Sequence, residues 1–274
     1  MSRLPTRRVA QPRAGRPIRR SSAGLSRTRA LAALILVMAG LSIYGAGASP
    51  VFSFHAPAEV DGATWTSPAA VETILAVDDG TNLVTLRTDD LAARLEALPA
   101  VRSADVRVVL PNTIRVTLDE RTPILVWQTS GGRFLVDSTG LAFIELATNA
   151  KAPSGLPTIT DSRAASAVTV GGSIDPVAFD AATRLGSLKP ADLGSAANGL
   201  IVSLTDDQGF TVTAVPNLWT ATFGFYTTSL RPTSLIPAQV RFLRSLLAKV
   251  GETNLESAIL ADGENGTYTT KSKP

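Results

Sequence analysis

The stretch Leu98–Pro123, LPAVRSADVRVVLPNTIRVTLDERTP, constrains the fold more than any other part of this 274-residue chain. Ala104, Val106 and Val108 alternate with Asp105, Arg107 and Val109, and Ile114, Val116 and Leu118 alternate with Arg115, Thr117 and Asp119. Successive side chains on a strand point to opposite faces, so the pattern predicts two strands with one face buried and one wet. Pro111-Asn112 between them is turn chemistry.

Two unlike pieces flank this block. Residues 1–29 hold nine Arg and no acidic residue, with Pro, Ser and Gly but few large apolar side chains. Such a segment cannot bury a core and is expected to be a disordered basic tail. Residues 30–58 carry no charged side chain, and from Glu59 onward 17 Lys and Arg face 23 Asp and Glu, a formal charge of −6. That acidic balance argues against nucleic acid as a partner.

The run Ala30–Ala48 has 19 residues and would span about 28 Å as a helix, close to the thickness of a bilayer's hydrocarbon. Arg27 and Arg29 precede it and no positive charge follows closely, so the positive-inside rule puts the N-terminus in the cytoplasm and residues from 50 onward outside the cell membrane. Membrane lipid is then the partner of Ala30–Ala48. Ala46-Gly47-Ala48 resembles a signal-peptide cleavage site, but the long basic region before it and the length of the run favour a retained anchor.

Between anchor and hairpin, Val51–Asp61 reads as a strand interrupted by Pro57. Ser67-Pro68 caps a helix from Ala69 to about Ala76, closed by Asp78-Asp79-Gly80. Thr88 caps a second helix with the stripe Leu91, Leu95, Leu98. The order β-α-α-β-β predicts a compact α+β unit. Farther on, ILVWQTSGGRFLVDSTGLAFI gives strands turning at Gly131-Gly132 and Asp137–Gly140, and residues 147–173 read as a surface connection with at most one short strand. A helix opens at Asp175-Pro176, with Val177, Ala181 and Leu185 on one face. A hairpin follows around Asp206–Gly209, then a strand with Trp219, Ala221, Phe223 and Phe225 on one face. Pro237–Val250 is a helix striped by Val240, Leu243, Leu246 and Leu247, and Ser257–Ala261 with Thr267–Thr270 form a last strand pair.

Chemistry is hard to find. The chain has no cysteine and one histidine, His55, which removes thiolate metal sites and His-based triads. Adjacent Asp pairs at 78–79, 89–90 and 206–207 fall at turns or helix starts and do not share a face. No phosphate-loop, nucleophile-elbow or calcium-loop pattern occurs. Asn265-Gly266-Thr267 fits a glycosylation sequon but reads better as a hairpin turn. Trp127 and Trp219 read as sheet core, and Glu120-Arg121 as a polar contact at a domain junction. These features imply a binding protein with no cofactor, no metal and no small-molecule substrate.

Gly80-Thr81-Asn82, Leu98-Pro99-Ala100-Val101 with Ala104 and Val106, Pro111-Asn112-Thr113-Ile114, and Glu120-Arg121-Thr122-Pro123 with Trp127 together resemble the POTRA domain of the FtsQ/DivIB family of bacterial cell-division proteins. The resemblance is strong over residues 71–144. It implies a tail (1–29), a transmembrane helix (30–48), a POTRA domain (51–121) and an FtsQ-type β domain with flanking helices (122–270). In the second half, Gln239 stands where the family commonly has lysine, and residues 231–236 look like an insertion. The implied function is non-enzymatic: a divisome scaffold supporting septal peptidoglycan synthesis. The family's last strands hold partners of the FtsB/FtsL type (DivIC in Gram-positive bacteria), which points to Ser257, Ile259, Ala261 and, on the neighbouring strand, Tyr268. The alternative reading is a POTRA-bearing component of protein translocation or outer-membrane assembly, which would ordinarily carry several POTRA repeats or a barrel.

Overall fold

A computed structural model describes residues 27–216 and 219–272. Most of the basic tail, expected to be disordered, lies outside the described residues. The described residues are α+β, with one apolar N-terminal helix followed by two sheets.

Helix α1 runs from Arg27 to Ala48, beginning three residues before the apolar run and taking in Arg27 and Arg29. Its large apolar side chains, from Leu31 to Tyr44, are exposed on every side, and it is long and apolar enough to cross a membrane.

The first sheet begins differently from the expected strand at Val51–Asp61. A 3-10 turn covers Pro50–Phe52, and only Glu59–Asp61 forms a strand, β1. Pro57 has no amide hydrogen to give a ladder. The chain before it pairs instead with a loop, through Leu83 N to Phe52 O (2.8 Å), Phe54 N to Thr81 O (2.8 Å) and Gly80 N to Phe54 O (2.9 Å). Helix α2 (Pro68–Leu75) starts as read, with the Ser67 hydroxyl accepting from Ala70 N and Pro68 in the first turn. It closes earlier than the Asp78-Asp79-Gly80 signal, because Ala76 turns left-handed at φ 47°. Helix α3 (Thr88–Glu96) has Thr88 inside its first turn rather than as its cap. Arg87 occupies the capping position with no side-chain bond. Leu91 and Leu95 are buried beneath β2 (Val101–Val109) and β3 (Thr113–Glu120).

Those strands form the expected hairpin, in register from Val109↔Thr113 to Ser103↔Asp119 with a bulge before Val101↔Glu120, and Val106, Ile114, Val116 and Leu118 are buried. Strand β1 adds in parallel to β3, giving the order β1-β3-β2.

The second sheet has nine strands: β4 (Pro123–Gln128), β5 (Arg133–Asp137), β6 (Ala142–Leu146), β7 (Thr158–Asp161), β8 (Gly199–Thr205), β9 (Gly209–Val215), β10 (Thr220–Gly224), β11 (Leu255–Leu260) and β12 (Gly266–Thr270), in the order β12-β11-β10-β9-β8-β7-β4-β5-β6. The short strand in the 147–173 connection is not peripheral. β7 lies in the middle of the sheet, parallel to both β4 and β8, with Ile159 fully buried.

Helices α4 (Pro176–Gly186) and α5 (Ile236–Val250) contribute to the same core as one face of this sheet, together with Trp127, Trp219, Phe223, Leu185 and Leu243. Each such side chain contributes about 1.5–3 kcal/mol by leaving water. The stripe of α4 is centred on Ala178, Ala181, Ala182 and Leu185, with Val177 only partly buried. That of α5 takes in Ile236 and Gln239 with Leu243, Leu246 and Leu247, and Val240 is partly buried. Phe225 does not continue the face of Trp219, Ala221 and Phe223. Gly224, at φ 82°, breaks the alternation and leaves Phe225 48% exposed.

Candidate docking edge and domain junction

The sheet order decides what β11 and β12 can do. β11 is an interior strand, parallel to β10 through Thr220↔Ser257 and Thr222↔Ile259 and antiparallel to β12 through Ser257↔Thr269, Ala258↔Tyr268 and Ile259↔Thr267. The free edge therefore passes to β12. Buried Ala258 and Leu260 face α5, so Ser257 and Ile259 occupy the opposite, open face. Directly paired residues share a face, which places Tyr268 on the α5 side with Ala258. Ala261 lies one residue past β11, its amide donating to Asn265 O (3.0 Å). The four sequence-predicted residues thus surround the edge without sharing one face, and Ile259 and Tyr268 are the exposed large side chains among them.

All five residues of β12 are exposed, and none is charged or proline. Edge strands are ordinarily blunted by lysine, proline or a cover; this one is left open. The opposite edge differs: the β6 end is covered where Ala142 N donates to Gly172 O (2.9 Å) and Gly171 N to Ala142 O (2.7 Å). Gly266 is required at the start of β12, since a Cβ there would stand 2.6 Å from Ile259 O and 2.9 Å from the Phe242 ring.

Behind the edge is a buried polar clamp. Arg231 Nη2 donates to Phe223 O (2.7 Å) and Leu260 O (2.6 Å), and Gln239 Nε2 donates to Leu260 O (2.9 Å) and Phe223 O (3.3 Å). Tyr226 OH donates to Gln239 Oε1 (2.7 Å), and burial pushes that phenol far up. The clamp satisfies the carbonyls where β10 and β11 end, which an apolar core would leave orphaned. Sequence reading passed over it, although Gln239 stands four residues before Leu243, on the apolar stripe. The segment at 231–236 supplies one of its donors.

At the other end of the sheet, Glu120 and Arg121 face different neighbours. The Glu120 carboxylate accepts the amides of Thr64 (2.6 Å), Trp65 (2.7 Å) and Thr66 (2.8 Å), fixing the loop before α2. Arg121 Nη1 reaches Asp137 on β5 (2.6 Å), and its Nε reaches Pro99 O (3.0 Å). Beside them Trp65 meets Phe143 edge-on at 6.3 Å, in a small cluster with Ala100, Val126 and Leu135.

A family model for the FtsQ-type POTRA domain matches residues 59–121. Similar proteins include three named cell division protein FtsQ: from Jannaschia sp., 40% identical over 82 residues (30% of this chain, 26% of the relative); from Mycobacteroides abscessus, 31% over 144 residues (50% and 43%); and from Streptomyces venezuelae, 37% over 130 residues (46% and 45%). Residues 59–121 are therefore a POTRA domain of the FtsQ type. The chain's matches span less than half the length of these curated relatives. Within the FtsQ-type POTRA domain, the matched residues run from β1 to the Glu120-Arg121 pair.

That pair yields a pH prediction. Burial alone would push the Glu120 carboxyl up, but the Thr66 hydroxyl and the amides of Trp65, Thr64 and Thr66 hold it below the usual glutamate range. A group depressed on folding stabilises the fold above its unfolded pKa and loses that contribution as pH falls through the folded value. Glu120→Gln is expected to cost about 1 kcal/mol at neutral pH. The difference from the parent should shrink as pH falls through the acid range, read by urea titrations at a series of pH values. A constant difference would contradict the assignment.

A concavity of about 500 Å³, open to solvent, lies between the β4–β5 turn and the end of β6. Its charged groups are Arg133 and Glu145. No group of His, Cys, Asp or Glu suited to a metal occurs among the described residues.

Proposed function

We propose that this chain is a single-pass scaffold of the bacterial divisome, acting by protein–protein docking. In this reading α1 spans the cell membrane with the N-terminus in the cytoplasm. Residues 51–121 form the POTRA domain and 122–270 the β domain, both outside. The free edge of β12 accepts a segment of a partner of the FtsB/FtsL (DivIC) type by strand addition, with Ile259 and Tyr268 flanking it, in support of septal peptidoglycan synthesis. The observation that carries the reading is the open, uncharged β12 edge in a chain of FtsQ-type POTRA family. Main-chain pairing supplies affinity there, and side chains of alternating direction supply specificity.

Depletion of the protein in its native cell, followed by imaging, tests the role. Failure of septation, seen as filaments or branches, is the expected result. Normal septation after full depletion would contradict it.

A further inference from the structure

Three segments of the POTRA unit that meet near the exit of α1 carry no charge: Ser49–Phe54, Gly80–Leu86 and Leu110–Ile114. Each presents one exposed apolar side chain, Val51 (60% exposed), Val84 (49%) and Leu110 (57%). Hydrogen bonds hold the three together. Leu83 N donates to Phe52 O (2.8 Å), Ser53 bridges Asn82 in antiparallel sense, and His55 N donates to Asn112 O (3.2 Å). Val84 therefore flanks the same pairing as Val51, and the β2–β3 turn bearing Leu110 lies beside the next residues.

Chain length then fixes what this end can reach. Val51 follows Ala48, the last residue of α1, by three positions, a reach of at most about 11 Å. The headgroup zone on each side of a bilayer is about 5–8 Å thick. A unit tied this closely, with its near end hydrogen-bonded to the tether, is held within a few ångströms of that zone. Apolar tips without charge suit its inner boundary better than water.

We propose that Val51, Val84 and Leu110 form a membrane-resting face, seating the POTRA unit on the lipid surface at the foot of its anchor. The proposal rests on the reading of α1 as a transmembrane helix. Lipid is the occupant because the covalent tether delivers this face to the bilayer. The Glu120 end of β3 lies about 25 Å from this face along the strand, and Ser130, on the β4–β5 turn, belongs to the second sheet, which begins past that end.

The absence of cysteine makes the test clean. Single variants Val84→Cys, Leu110→Cys, Ser130→Cys and Met38→Cys of the full chain, labelled with a polarity-sensitive fluorophore, are reconstituted in phosphatidylethanolamine–phosphatidylglycerol vesicles. Parallel sets use lipid brominated near the headgroup and, for position 38 at the middle of α1, lipid brominated near the end of the acyl chain. Labels at 84 and 110 should be blue-shifted relative to 130 and lose intensity in brominated lipid, while 130 does not. Labels at 84 and 110 that behave like 130, with quenching at 38, would overturn the membrane face and leave the anchor standing. No quenching at 38 would overturn the anchor and the face with it. A blue shift at 84 and 110 without quenching would assign the face to a protein contact and overturn the lipid assignment.

Discussion

Replacing Arg121 by alanine is expected to destabilise the folded part of the chain by about 3 kcal/mol at neutral pH, because it strands a carboxylate in the interior. The Asp137 side chain is 1% exposed and its closest partner is Arg121 Nη1 at 2.6 Å. Burial alone would push the Asp137 carboxyl up. The Thr139 hydroxyl, Arg121, and the amides of Thr139 and Leu141 more than offset it and hold the group below the usual aspartate range. Those remaining donors keep the loss at the lower end of what breaking a buried pair costs. A depression of about 6–12 °C in Tm follows for a unit of this size. The pH dependence has a definite sign. Asp137 is depressed on folding, so its contribution is present above its unfolded pKa and lost as pH falls through the folded value. Removing Arg121 raises that folded value, and the acid limb of the stability curve should move to higher pH. Arg121→Lys should recover only part of the loss, since one ammonium cannot serve Asp137 and the Pro99 carbonyl with the guanidinium's geometry. The consequence reaches function through geometry: the same side chain joins the turn between α3 and β2 to β5, and so the two sheets.

Proline placed singly at Thr267, Tyr268 and Thr269 should separate two classes of effect on β12. Alternate residues of an edge strand direct their N–H either to the neighbouring strand or outward. Proline at a position donating to β11 should lower Tm. Proline at an outward-donating position should leave Tm nearly unchanged yet weaken the purified extracytoplasmic segment of an FtsB/FtsL-type partner by about tenfold or more, the equivalent of one lost edge hydrogen bond and its neighbouring contacts. Titration calorimetry alongside thermal melts reads both. If all three prolines leave affinity intact, strand addition at β12 is the wrong mechanism.

The two halves of the chain were legible to different depths, for physical reasons. The β2–β3 hairpin could be read because its sheet has one buried and one wet face, so period two is visible in Ile114, Val116 and Leu118 against Arg115, Thr117 and Asp119. Strand β7 could not be read as central. Four residues bounded by Pro157 and Ser162 carry too little pattern, and its partners β4 and β8 lie far off in sequence. The first strand failed at Pro57 because an extended segment can pair with a loop as well as with a sheet, and here residues 80–83 took its hydrogen bonds. The last strand pair was found from composition, but which member holds the edge depends on the whole order of nine strands. Gln239 shows the remaining difficulty. Its place on the α5 stripe was visible, whereas its partners Phe223 and Leu260 meet it only through the fold.

Site-specific photo-crosslinking in dividing native cells tests the central claim most directly. A photoreactive residue at Tyr268 or Ile259, beside the open edge, should capture small single-pass coiled-coil division proteins. The same residue at Ser130, on the exposed β4–β5 turn, should not. Capture of such proteins from Ser130 but never from Tyr268 or Ile259 would contradict docking at β12.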